Sequence, residues 1–227
     1  MNKKIIVIIG ARSKSKSIKD KNLLLINNIP LLAWPIVIAK QCKNIDKIYL
    51  STDSVKYGKI GECFGAEFIL RPPGLAQDNS VDYDWIRDLM ITPAMIWDDD
   101  MLVLLRPTSP LRNPKILEDV IKKFDDKNYD SLRTIEELLD PIEKLYEFQT
   151  DMKTIQRFRI GDKYPVHDMP RQECKKIYRP NGYADILKVE TIRKYGNLFG
   201  NKVQGYITPK ILEIDEYDDY ELVKGIR

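Results

Sequence analysis

Short apolar runs separated by longer mixed segments predict a protein in which strands and helices alternate. The run IIVII at residues 5–9 contains only β-branched residues. Such a run is typical of a strand buried on both faces, as in the first strand of a parallel sheet. Further strands are predicted at residues 47–51, 68–70, 101–105, 130–134, 183–187 and 204–207, and helices at residues 31–41, 55–65, 81–90 and 113–127. The pattern therefore indicates an α/β fold.

Polar residues at the ends of two predicted elements suggest local roles. Asp53 precedes the helix at 55–65 and is expected to cap it, because Asp is a favoured N-cap residue. Asn181 and Gly182 are expected to form a sharp turn into the strand at 183–187. From residue 135 to residue 177 the pattern loosens, which predicts an excursion from the sheet.

Composition restricts the class of protein. The chain has 227 residues, of which 43% are hydrophobic and 31% are charged, as in a globular domain with a sizeable core. The formal net charge of +3 is too small to imply nucleic-acid binding. Three widely spaced cysteines favour a reduced, cytoplasmic location. The N-terminal apolar run is too short for a signal sequence or a membrane span, and the single histidine, His167, excludes a multi-histidine metal site.

A basic loop follows the first predicted strand. After Gly10 come five cations, interleaved with small and hydroxyl residues: Arg12, Lys14, Lys16, Lys19 and Lys21. Open α/β sheets bind ligands at the carboxyl ends of their strands, so a polyphosphate is the expected guest. A solvated basic loop is the alternative. An RNA-binding loop is disfavoured, because no aromatic residues lie among the cations.

Several motifs spread over nearly the whole chain strengthen the polyphosphate interpretation. They are A-R-S-K-S-K at 11–16 followed by K-N at 21–22, S-T-D at 51–53, R-P-P-G-L-A-Q-D at 71–78, P-T-S-P-L-R at 107–112, R-Q at 171–172, R-P-N-G at 179–182 and E-I-D at 213–215. In this order they resemble the acylneuraminate cytidylyltransferase family. The resemblance implies a three-layer, Rossmann-like nucleotide-diphospho-sugar transferase fold with a mainly parallel sheet. It also implies a single domain over residues 1–227, with a dimerisation arm at about 135–177 and a homodimer.

The same resemblance implies that CTP and a 2-keto-3-deoxy sugar acid, of the nonulosonic type, react to give a CMP-sugar and pyrophosphate for surface glycan biosynthesis. No nucleic-acid or membrane partner is expected. The residues implied for the nucleotide are Ala11, Arg12, Ser15, Lys16, Lys21, Asn22 and Arg71. Those implied for catalysis are Arg12, Lys21 and Asp215, and those for the sugar acid are Arg106, Arg171, Arg179 and Asn181. Glu213 and Asp215 are expected to hold Mg²⁺ from one face of a strand, where residues two apart point the same way.

Departures from the family's motifs leave the acceptor open. Most relatives have Gln in place of Arg106, and an Arg there predicts an acceptor with an extra anionic or differently placed polar group. Tyr183 and Asp185 also differ from the residues that relatives usually carry, on the same acceptor side of the site. Two alternatives therefore remain: a nucleotidyltransferase that uses another NTP or a sugar phosphate, and a non-catalytic nucleotide-binding protein.

Overall fold

The computed structural model describes residues 3–91, 96–150, 152, 155–157 and 170–225. The strands are β1 (Ile5–Gly10), β2 (Leu25–Ile26), β3 (Ile29–Pro30), β4 (Lys47–Thr52), β5 (Glu67–Leu70), β6 (Met101–Leu104), β7 (Ser131–Glu137), β8 (Tyr146–Phe148), β9 (Ile155–Arg157), β10 (Tyr178–Lys188) and β11 (Val203–Ile207). The helices are α1 (Trp34–Ala39), α2 (Val55–Phe64), α3 (Asp82–Ile91), α4 (Pro114–Lys123), α5 (Val189–Tyr195) and α6 (Tyr217–Lys224). His167 lies outside the described residues.

Seven strands form the central sheet, in the order β11-β7-β10-β6-β1-β4-β5. β1 pairs in parallel with β4 on one side and β6 on the other. β10 runs antiparallel to both β6 and β7, and the other pairings in this sheet are parallel. The carboxyl ends of β1, β4, β5 and β6 therefore share one edge of the sheet, and the loops that leave them lie side by side.

Alternate residues of β1 face two separate cores. Val7 and Ile9 pack into a cluster that includes residues of α1, α2 and α4. Ile6 and Ile8 pack into a second cluster with residues of α3 and α5. Because successive side chains of a strand point to opposite faces, the all-apolar run fills both cores. The three-layer α/β fold predicted from the sequence is confirmed.

A third, smaller cluster lies beside the sheet. It joins one residue of the basic loop to the β2–β3 hairpin, to the segment before α6 and to α6 itself; its buried members are Ile18, Ile26, Leu31, Ile214, Tyr220 and Val223. This cluster brings the C-terminal segment against the loop that follows β1.

Two local predictions were wrong. Ser54, not Asp53, caps α2, because the Ser54 hydroxyl accepts a hydrogen bond from the Tyr57 amide, while Asp53 binds the basic loop instead. Asn181 and Gly182 do not form a turn between elements but lie inside β10, where the pairing register shifts and Gly182 has φ +63°. A glycine allows this left-handed residue in a bulged strand.

Several boundaries also differ from prediction; the helix predicted at 31–41, for example, is α1, Trp34–Ala39. Glu213 and Asp215 lie in a segment outside any strand, because the pairings of the sheet do not extend to it. The helix predicted at 113–127 is α4, which begins after the N-cap Asn113 and ends at Lys123. The excursion begins after Glu137 rather than at 135, and its described part contains the β8–β9 hairpin outside the central sheet.

Among the described residues, none of the helices has both the length and the apolar character that crossing a bilayer requires.

Candidate active site

A cleft of about 450 Å³ opens at the carboxyl edge of the sheet, beside the ends of β1 and β6. Eight of the residues predicted for the site line it: Arg12, Ser15, Lys16, Lys21, Asn22, Arg71, Arg106 and Asp215. Five of them lie between residues 12 and 22, after β1, whereas Arg71 follows β5 and Arg106 follows β6. The parallel strands bring these loops to one edge, and Asp215 joins them from the segment before α6. Five lining residues are cations and three are carboxylates, so the cleft carries a net positive charge that suits an anionic ligand.

The basic loop is fixed at both ends by backbone contacts. The buried Ala11 donates its amide to the Ser51 carbonyl at 3.0 Å, which continues the β1–β4 pairing. The Asn22 side chain donates to the Arg12 carbonyl at 3.0 Å and so closes the loop on itself. Ala11 is predicted to bind nucleotide, but it is not among the residues that line the cleft, and its amide is already used.

Two cations of the loop share one carboxylate. Arg12 lies 2.6 Å and Lys16 3.0 Å from the carboxylate oxygens of Asp78, which follows β5. Hydrogen bonds from Lys16 and Arg12 lower the pKa of Asp78 below its ordinary value. The carboxylate therefore stays ionised and occupies the two cations that are predicted to hold phosphate.

Lys21 meets Asp215 across the cleft. The lysine is only 8% exposed, and its ammonium donates to an Asp215 carboxylate oxygen at 3.0 Å. The two residues are 194 positions apart in the sequence. The small cluster beneath them holds them together, because it contains Ile18 of the loop and Ile214 next to Asp215.

Glu213 lies next to this pair but does not line the cleft. Its carboxylate accepts a hydrogen bond from the Ser109 hydroxyl at 3.2 Å. Burial raises the pKa of Glu213, and the charge of Asp215 raises it further. Two carboxylates that repel one another can supply the hard oxygen ligands that a divalent cation prefers. Within the described part of the chain, no group of three or more His, Cys, Asp or Glu side chains could hold a metal ion.

Arg71 forms part of the cleft floor. Its guanidinium donates to the hydroxyl and the carbonyl of Ser51 at 3.1 and 3.0 Å and stacks on the Trp85 ring at 4.5 Å. Both side chains press on Gly10, where an added Cβ would lie 2.9 Å from each of them. Glycine is therefore required at the end of β1 so that the stacked pair can lie flat beneath the cleft.

Arg106 also lines the cleft, and two carboxylates balance its charge. It donates to Asp185 and to Asp82, both at 2.9 Å. Asp185 is 2% exposed and also accepts from Arg133 at 3.0 Å. The sequence predicts Arg106 as an added fixed charge toward the acceptor. In the fold its charge is instead shared with two carboxylates.

Arg179 and Asn181, also predicted for the site, are not among the residues that line the cleft. Arg179 donates two hydrogen bonds to one carboxylate oxygen of Glu136, at 2.9 and 2.7 Å. Asn181 is buried, and its side chain donates to the Thr208 hydroxyl at 2.6 Å. The side chain of Arg171 lies outside the described part of the chain. The roles predicted for these three residues stay predictions.

Sequence reasoning missed several residues of the site. Trp85 and Asp82 line the cleft from α3, and Arg112 fixes the loop that carries Arg106 to β10. The fully buried Arg112 guanidinium donates to four backbone carbonyls, those of Arg106, Ser109, Gly182 and Tyr183. The only available sign of this role was that Arg112 ends the P-T-S-P-L-R motif.

Comparison with known proteins identifies the family. The cytidylyltransferase family matches residues 6–217. The N-acylneuraminate cytidylyltransferase of Escherichia coli strain RS218 is 31% identical over 231 residues, covering 100% of this chain and 53% of that protein. A Helicobacter pylori protein is 32% identical over 93% of this chain and 40% of its own length. Its name is pseudaminic acid cytidylyltransferase and UDP-2,4-diacetamido-2,4,6-trideoxy-beta-L-altropyranose hydrolase.

A solved structure of CMP:2-keto-3-deoxy-manno-octonic acid synthetase complexed with CTP is similar in fold. Its TM-score is 0.73 at 15% sequence identity, with 98% of each chain covered. The chain spans about half the length (53%) of the Escherichia coli relative. The resemblance drawn from the motifs is confirmed, and since the family match includes the basic loop, the cleft and the Glu213–Asp215 segment, the chain belongs to the cytidylyltransferase family.

Proposed function

We propose that this protein transfers CMP from CTP to the anomeric hydroxyl of a 2-keto-3-deoxy sugar acid and releases pyrophosphate. The observation that carries the proposal is the cleft, where five cations meet the Asp215 carboxylate at the ligand-binding edge of the sheet. Family membership and the names of two relatives support CTP and a sugar acid as the substrates. In-line attack on the α-phosphorus requires mainly positioning and charge stabilisation, which such a cleft can provide.

The basic loop supplies the phosphate contacts. Arg12, Lys16 and Lys21 take the oxygens of the triphosphate and stabilise the charge that develops on the leaving pyrophosphate. Asn22 and Arg71 hold the nucleoside, because both lie in the cleft with amide or guanidinium donors. For these contacts to form, Asp78 has to release Arg12 and Lys16.

Glu213 and Asp215 would hold Mg²⁺ at the edge of the cleft. Two carboxylates with phosphate oxygens and waters make up an ordinary Mg²⁺ shell, so a third protein ligand is not needed. The ion would supply charge neutralisation at the phosphates and would lower the pKa of the attacking hydroxyl. Lys21, which pairs with Asp215 in the structure, then becomes free to bind phosphate.

The acceptor is expected to be a nonulosonic acid. The relatives' names include an N-acylneuraminate and a pseudaminic acid enzyme. Arg106 contributes to the acceptor wall, and Arg171 and Arg179 remain the proposed partners of the sugar carboxylate.

Pyrophosphate release tests the reaction. The purified protein is assayed with Mg²⁺ against the four NTPs and a panel of 2-keto-3-deoxy sugar acids and sugar 1-phosphates. Turnover with CTP and a sugar acid is expected. Turnover with another nucleotide or only with a sugar phosphate would contradict the proposed substrates, and nucleotide binding without any turnover would favour a non-catalytic protein.

The Asp215→Ala variant tests the metal assignment. Its turnover should fall by about 100-fold or more, given the loss of a metal ligand at a charge-developing site. Binding of Mn²⁺ to the CTP complex, followed by electron paramagnetic resonance, should weaken as well. Asp218→Ala, an exposed residue in the first turn of α6, is the control. Unchanged Mn²⁺ affinity in Asp215→Ala would refute the assignment.

We further propose a cytoplasmic homodimer. Cys42, Cys63 and Cys174 are free thiols, as suits a reducing compartment. The excursion carries exposed apolar side chains, among them Leu139 at 81% and Phe148 at 61% exposure, which a second copy would cover. Light scattering should give a dimer mass for the wild type and a monomer for Phe148→Ser. A wild-type monomer at micromolar concentration would contradict the dimer.

A further inference from the structure

The turn between β4 and α2 binds the basic loop through hydrogen bonds. Both carboxylate oxygens of Asp53 are used: one accepts from the Ser13 amide and the other from the Ser13 hydroxyl, each at 2.7 Å. Two charge-assisted bonds to a single residue fix its position and its orientation. Since the Ser13 amide is engaged in this way, it does not serve as a phosphate donor.

A second contact holds the far side of the loop. The buried Tyr57 hydroxyl lies 3.1 Å from a carboxylate oxygen of Asp20 and 3.4 Å from the Ser13 carbonyl. Asp20 has φ +51°, in the left-handed region that non-glycine residues adopt at a cost. The Tyr57 hydroxyl therefore supports a strained residue just before Lys21.

Asp53 and Tyr57, the residues that hold the loop, are themselves part of the hydrogen-bonded region where β4 leads into α2. Asp53 follows β4 directly, and the next amide, that of Ser54, donates to the Thr52 hydroxyl at 3.2 Å. Tyr57 lies in the first turn of α2, below the Ser54 cap. Neither Asp53 nor Tyr57 lines the cleft, so any effect on the ligand must pass through the loop.

We propose that Asp53 and Tyr57 are positioning residues that hold the basic loop in its ligand-binding shape. A loop with five cations at 12–21 repels itself and has high conformational entropy when it is free. Fixing it in advance removes that ordering cost from nucleotide binding and keeps the cations aimed at the reacting phosphate. The inference rests on the proposed function, because it assumes that the ligand is a nucleoside triphosphate.

Steady-state kinetics with matched variants of the turn test this role. In Asp53→Ala, kcat/KM for CTP should fall by about 10- to 100-fold, the scale of an approximately 1 Å misplacement of catalytic groups. Asp53→Asn can accept from the Ser13 amide and donate to its hydroxyl, so it should recover kcat/KM to within about threefold of the wild type. Tyr57→Phe, which loses one hydroxyl, should lower kcat/KM for CTP by about three- to tenfold.

The control is Ser54→Ala, in the same turn. It removes the α2 cap without touching the loop, so it should lower the Tm but leave kcat/KM for CTP unchanged. If Asp53→Ala lowers the Tm as Ser54→Ala does and leaves kcat/KM intact, the positioning role is wrong. If Asp53→Asn is as impaired as Asp53→Ala, the charge rather than the loop geometry matters and the proposal also fails.

Binding of inorganic triphosphate, measured by calorimetry on the same variants, separates this inference from the proposed function. A wild type that binds triphosphate but turns over no substrate would overturn the proposed reaction alone. In that case a loss of triphosphate affinity in Asp53→Ala, with recovery in Asp53→Asn, would still support the positioning role, and equal affinity in all variants would refute it.

Discussion

Replacing Arg112 with Met should destabilise the whole carboxyl edge of the sheet. The guanidinium is buried and donates four hydrogen bonds to backbone carbonyls. Two of them, to Gly182 and Tyr183, join the 106–112 loop to the bulge of β10, and the other two lie within the loop itself. Burial lowers the pKa of Arg112 to about 9, so the group remains protonated at neutral pH and all its donors stay in place. Met has a similar length but offers no donor to the carbonyls.

The expected loss follows from those four bonds. Each intramolecular hydrogen bond contributes about 1 kcal/mol net, and a buried carbonyl left without a partner costs about 1–3 kcal/mol. The guanidinium's own desolvation cost disappears in the variant, which offsets part of the loss. A net loss of about 3–5 kcal/mol remains, or about 6–20 °C in Tm for a domain of this size.

Urea unfolding followed by circular dichroism measures this loss. The midpoint should fall with little change in the m-value. Arg87→Met is the matched control, since Arg87 is exposed on α3, and its effect should stay within about 0.5 kcal/mol. The loss of stability in Arg112→Lys should lie between those of Arg112→Met and Arg87→Met, because an ammonium is a donor but lacks the planar fork of a guanidinium. A loss under about 1 kcal/mol in Arg112→Met would refute the bracing role.

Three further predictions concern the cleft. Asp78→Asn frees the two loop cations that Asp78 pairs with, so CTP affinity measured by calorimetry should rise about threefold at low salt, and weaker binding would contradict this. Gly10→Ala places a Cβ 2.9 Å from Arg71 and Trp85, so KM for CTP should rise about tenfold, whereas an unchanged KM would show that the floor can shift. The pKa of Glu213 is raised in the fold, so ionising it costs stability as the pH rises from its unfolded toward its folded pKa. Glu213→Gln should therefore increase the Tm at pH 7 while abolishing turnover. A lower Tm would contradict the upward shift of the Glu213 pKa.

The α/β class of the fold could be predicted from the sequence because the decisive patterns are local. Ile5–Ile9 is apolar on both faces, and only a central strand covered by two layers buries both. The basic loop after Gly10 likewise follows from chain order alone, since a parallel strand must end at the ligand-binding edge. The eight residues that line the cleft were implied by the family resemblance, and of these Arg12, Arg71 and Arg106 lie where parallel strands end.

Contacts between distant residues could not be predicted in this way. Asp53 and Ser54 are both good N-cap residues, and local propensity could not choose between them. Asp53 does not cap the helix because its carboxylate accepts hydrogen bonds from the amide and hydroxyl of Ser13, 40 positions away in the sequence. Asn181 and Gly182 form a turn in isolation, but β10 begins earlier, at Tyr178, which pairs with Glu137, and the dipeptide becomes a bulge instead.

Under the proposed function, the pairing of cations with carboxylates inside the cleft would govern which nucleotide binds. Asp78 holds Arg12 and Lys16, and Asp215 holds Lys21, so an incoming phosphate has to compete with a carboxylate for each of these cations. The binding free energy is then the difference between the interaction of a cation with phosphate and its interaction with carboxylate. This difference is small for any single oxygen. Only a ligand that reaches all three cations at once displaces both carboxylates without leaving a cation unpaired. A triphosphate can extend over all three cations, whereas a monophosphate carries its oxygens on a single phosphorus, so we expect the cleft to bind the longer phosphate chain more tightly.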